Sequence, residues 1–233
     1  MTSRERLMRV LNGEIPDHVP VAPDTSNMIP ARLTGKPFWD LYLYQDPPIW
    51  KAYLDCVKYF GFDSLMDGYV HIELTEPLEE MQEHEQKRGL AVVHKNDERI
   101  VAQGFITENN GIKWDNTVTI YNKSNSPNRA VSPKIIGLPP IPDKYELVEG
   151  IKQWPKGEAL LKYVKEEMGD HGLVGVFCGT SILIHNERDL FDYYDNPNKY
   201  LRIRDKILEK SIERFHKLMA LEHKPDFICT GGS

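Results

Sequence analysis

Cysteine is scarce in this sequence: three in 233 residues, at Cys56, Cys178 and Cys229, with no Cys-x-x-Cys spacing. An odd, sparse set excludes a disulfide-built scaffold and fits a reducing compartment. Long apolar runs are missing as well. Nothing approaches the roughly 18 residues of a membrane-spanning helix, so no membrane partner is expected. There is no excess of positive charge either. The net charge is -6 and no polybasic stripe stands out, which leaves no electrostatic reason to seek nucleic acid or anionic lipid. The opening Met-Thr-Ser-Arg-Glu-Arg has no apolar signal-peptide core, and a cytoplasmic location is expected. Internal repeats and low-complexity tracts are also lacking.

What is present is an ordinary globular composition, 40% hydrophobic and 27% charged, at a length that permits a sizeable core. Thr2-x-x-Glu5 is a capping box that starts a first helix with Leu7, Met8, Val10 and Leu11 on its apolar stripe, and Gly13 stands where a left-handed cap would fall. His18–Ala22 is a short β-branched run and predicts a strand. Asp46-Pro47 predicts a helix start. Ile49, Trp50, Tyr53, Leu54, Val57 and Phe60 follow at helical spacing, Gly61 closes the helix, and Phe62–Met66 predicts a second strand. The Glu- and Gln-rich residues 76–88 predict a further helix with a solvated face.

Between 90 and 136 the pattern changes. Short β segments (Ala91–Val93, Arg99–Ala102, Ile112–Tyr121) are separated by turn signals, and they predict a small antiparallel β excursion. A Pro-rich link, Leu138–Pro142, leads back to alternating helices and strands: a helix over Pro155–Met168, a buried strand over Leu173–Cys178, helices over Asn186–Tyr194 and from Asn196-Pro197 to about His223, and a last strand at Phe227–Cys229. Helix–strand alternation favours a parallel sheet. The expected fold is an α/β, (β/α)8 TIM-barrel of which 1–233 is a single incomplete domain, C-terminally truncated at about four or five of eight strands, with 90–136 as a β-rich insertion.

Barrels carry their chemistry just past the C-terminal ends of their strands. That rule selects Asp24, Asp67 with Tyr69 and His71, Cys178 with Thr180, and the run Cys229-Thr-Gly231-Gly232-Ser233. Asp67 is the candidate catalytic group, an acid/base or a carboxylate that orients a cationic ligand, although Asp-Gly is also a turn dipeptide. His71 with Glu73 makes His-x-Glu, which lacks the further ligands a metal site needs. Cys178 would need a neighbouring base to act as a nucleophile. Gly231 and Gly232 would let backbone N–H groups approach a ligand, and Thr180 and Ser233 would supply hydroxyls.

The opening Arg4-Glu-Arg-Leu-Met-Arg-Val-Leu-Asn-Gly-Glu-Ile-Pro-Asp-His-Val-Pro-Val21 resembles the start of uroporphyrinogen decarboxylase-like proteins. Gly172–Leu183, Asp195–Leu201 and Lys224–Ser233 resemble that superfamily's mid-barrel strand, following helix and next strand. The resemblance implies a TIM barrel acting on a small molecule or a corrinoid. Two departures point within the superfamily. The decarboxylases carry an Arg-rich loop after the first strand, whereas Pro23–Arg32 here holds Arg32 alone. The corrinoid-linked methyltransferases use a zinc site of His-x-Cys and a distant Cys. No His-x-Cys occurs in these 233 residues, so no cofactor is expected on this segment alone, and zinc and a cobamide are expected of the parent enzyme. The leading expectation is an N-terminal portion of a methyltransferase that moves a methyl group between a corrinoid and an acceptor. The alternatives are a decarboxylase acting on a porphyrinogen or smaller acid, and a non-catalytic barrel fragment that needs a complementary chain or self-association.

Overall fold

In chain order the computed structural model contains helices α1 (Ser3–Leu11), α2 (Met28–Leu33), α3 (Phe38–Tyr42) and α4 (Ile49–Phe60). Strands β1 (Tyr69–Val70), β2 (Lys87–Lys95), β3 (Arg99–Glu108), β4 (Gly111–Asn122), β5 (Asn128–Val131) and β6 (Glu146–Leu147) follow. The chain then runs through α5 (Gly157–Met168), β7 (Gly175–Phe177), α6 (Glu187–Asp195), α7 (Pro197–Ala220) and β8 (Phe227–Cys229). The structure describes residues 1–64, 69–70, 87–108, 111–179 and 187–230. The chain divides into two units. One comprises Met1–Val21, Gly68–Thr75 and Pro155–Ser233, the other Ala22–Asp67 and Glu76–Trp154.

The first unit is built on a three-stranded parallel sheet in the order β1-β7-β8. Its register aligns Tyr69, Gly175 and Phe227 in one row, and Val70, Val176 and Ile228 in the next. Gly175 is glycine for a packing reason. A Cβ there would lie 2.3 Å from the Phe227 ring of the neighbouring strand, so the ring covers the gap that the missing side chain leaves. The long helix α7 packs its buried side, including Tyr200 and Leu218, inward. Its Arg214 Nε donates to the Phe177 carbonyl at 3.2 Å. At the start of the unit, Glu5 N donates to Thr2 Oγ1 at 3.1 Å and Thr2 N donates to Glu5 Oε2 at 2.8 Å, the reciprocal capping box that the sequence signals. Buried Arg6 reaches Asp17 at 2.7 Å and fixes the chain after α1.

The second unit holds a five-stranded antiparallel sheet in the order β5-β4-β3-β2-β6. The central strand β3 buries Ile100, Val101, Ala102 and Gln103 consecutively, so both faces of the sheet are covered there. Val101, Val118 and Ile120 form a core with Val93, Val131, Ile136 and Leu138. Gln103 is 1% exposed; its Nε2 donates to the Asp115 carbonyl at 2.7 Å and to the Pro140 carbonyl at 2.9 Å. That amide holds the Pro-rich stretch against the sheet. Gly89 repeats the device seen at Gly175, with a Cβ there falling 2.3 Å from the cross-strand Phe105 ring. A helical cluster of Ala31, Phe38, Leu41 and Ala52 completes this unit. The Phe38 N–H, donating to the Lys123 carbonyl at 2.8 Å, links that cluster to the end of β4.

The expected (β/α)8 barrel is overturned. The described residues show a mixed α/β structure whose largest sheet is antiparallel and whose three parallel strands form an open sheet. Apolar patterning marks a strand but not its direction. Connection length decides it, and the short connections between β2 and β3 and between β3 and β4 permit only antiparallel pairing. His18–Ala22 forms no strand. Pro16, Pro20 and Pro23 remove ladder donors around it, and Val19 is 81% exposed. Phe62–Ser64 is likewise not strand, and the rest of that expected strand, Leu65 and Met66, lies outside the described residues. The helix expected from Asp46-Pro47 begins two residues later, at Ile49 with Pro48 as its N-cap. Within 76–88, Lys87 and Arg88 belong to β2 rather than to a helix, and the remainder lies outside the described residues.

Candidate functional site

Parallel strands end side by side, and their C-terminal ends gather the groups that follow them. Here the shared end of β1, β7 and β8 brings together Val70, Cys178-Gly179 and Cys229-Thr230. The ladder continues one residue beyond β7, where Cys178 N donates to the Cys229 carbonyl at 2.7 Å. Gly179 then adopts φ +95°, and a Cβ on it would approach Ser211 Oγ of α7 to 3.3 Å. A left-handed turn against a helix favours glycine at that position. The result is a tight exit from β7 packed against α7.

The sequence-selected residues divide sharply. Tyr69 stands in β1 opposite Gly175, on the sheet. Cys178 sits at the β7 exit but is 3% exposed, and its Sγ donates to the Ser211 carbonyl at 3.4 Å. A thiol enclosed in this way is a packing group. Strand alternation turns Cys229 to the opposite side from Cys178, and all three cysteines are free thiols. Asp24 belongs to the other unit. Its Oδ1 accepts from Ser26 N at 2.7 Å, an Asx turn that supports Ser26 at φ +52°. Its carboxylate serves local backbone geometry. Asp67, His71, Thr180, Gly231, Gly232 and Ser233 lie outside the described residues.

One charged group escaped the sequence reading. Asp226, the residue before β8, has a side chain 4% exposed. It takes two hydrogen bonds from the Arg4 guanidinium of α1, at 2.8 and 2.6 Å, one from Val174 N at 2.9 Å, and an ion pair with Lys165 of α5 at 2.9 Å. Burial pushes its pKa up, but the bonds from Arg4, Val174 and Lys165 outweigh that and hold it at about 2. The paired carboxylate in turn raises Arg4. Asp226 lies at the N-terminal end of the strands, away from the candidate site, and it fastens two helices to the start of β7 and β8. The signal was legible as a carboxylate in Lys224-Pro-Asp226 directly before an apolar strand, but its cationic partners are 222 and 61 positions away in sequence.

Among the described residues no three His, Cys, Asp or Glu side chains are grouped as a metal site. Among the same residues no helix is long and apolar enough to cross a membrane. No family model, curated protein or solved structure matches the chain.

Proposed function

We propose that this chain contributes a ligand-binding edge to a corrinoid-linked methyltransferase-type enzyme of the uroporphyrinogen decarboxylase-like superfamily. The observation that carries the reading is the parallel register of β1, β7 and β8, which sets the Cys178-Gly179 and Cys229-Thr230 exits next to each other. The sequence resemblance at Arg4–Val21, Gly172–Leu183 and Lys224–Ser233 supports the same assignment. The contribution is to bind and orient. Gly179 admits a ligand to the backbone, the half-buried Cys229 and exposed Thr230 supply small polar contacts, and His71 follows the adjoining strand β1 in sequence, whereas Asp67 precedes it. In such enzymes a zinc ion deprotonates the acceptor thiol. The described residues do not assemble that ion's ligands.

Equilibrium dialysis with methylcobalamin, beside a porphyrinogen bearing several carboxylates, tests the proposal. Retention of methylcobalamin that weakens at least tenfold in Gly179→Val, with the far-ultraviolet dichroism unchanged, is the expected result. Retention of the porphyrinogen instead would favour the decarboxylase reading, and retention of neither ligand would remove both.

A second reading is favoured by a separate observation. Among the described residues the parallel sheet is open, and α7 leaves large apolar side chains partly exposed. These features suit a module that associates through its surface.

A further inference from the structure

We draw no further inference here: the strongest candidate, the Oε1 of the buried Gln103 amide beneath the Pro-rich stretch of the antiparallel unit, left without a hydrogen-bond partner, carries nothing because that amide already serves to fasten the stretch to the sheet through Asp115 and Pro140 and nothing among the described residues shows what ligand would meet the oxygen.

Discussion

The two units solve the problem of a β-sheet in opposite ways. In the Ala22–Asp67 and Glu76–Trp154 unit, long antiparallel strands are joined by tight turns, and β3 is buried on both faces. In the other unit, strands of two or three residues pair in parallel, held by few ladder bonds and by helices that arrive from distant sequence. Local turns close the first sheet at small entropic cost, whereas the second needs long crossovers before any strand pairs. The first sheet is stabilised by its own core. The second depends on a charged clamp, Asp226, and leaves apolar surface on α1 and α7 in solvent.

The difference can be sharpened by substitution, and the largest effect belongs to the clamp. Asp226→Ala strands Val174 N and two partly exposed cations, and is expected to cost about 2–4 kcal/mol in urea unfolding, with Asp226→Asn costing less because it still accepts from Val174. The same carboxylate sets an acid limit. Its folded pKa of about 2 lies below the ordinary aspartate value of about 3.9. The stabilisation is therefore fully present above pH ~4 and is lost as pH falls from there toward 2, amounting to about 2 kcal/mol. Asp226→Ala should flatten that part of the pH–stability curve. In the antiparallel unit, Gln103→Leu leaves the Asp115 and Pro140 carbonyls without their donor, and about 1–3 kcal/mol is expected. Hydrogen exchange should report the loss in β3 and not in β7. The matched pair Gly89→Ala and Gly175→Ala places a Cβ into an aromatic ring at the same distance. Each is expected to cost about 1–3 kcal/mol, and Gly175→Ala should also release β8, whose pairing extends over only three residues. The smallest effect is Thr2→Ala, about 1 kcal/mol from the lost cap, read as a shift in the thermal midpoint.

Local chemistry was legible in the sequence where one segment decides the outcome. The capping box at Thr2 and Glu5, the left-handed stop of α4 at Gly61 (φ +68°), the strand at Phe227–Cys229 and the β segments at Ala91, Arg99 and Ile112 are all where their residues place them. Strand direction and sheet closure were not legible, because both depend on which distant strands pair. The barrel expectation failed on that point. Asp226 went unread for the same reason, since nothing near it in sequence reveals Arg4 or Lys165. Cys178 stands at the exit of β7, but only the fold shows its thiol turned into the Ser211 carbonyl. Asp24, chosen as an orienting carboxylate, proves to hold a turn.

The central contrast is between a sheet stabilised by its own core and one that depends on a charged clamp. Amide hydrogen exchange at Val101–Phe105 of β3 and at Val176 and Ile228 of the β7–β8 pair, compared between the parent chain and Asp226→Ala, tests it directly. Protection of β3 should stay constant, while protection of Val176 and Ile228 should fall at least tenfold. Protection lowered equally in both sheets, or unchanged in both, would contradict it.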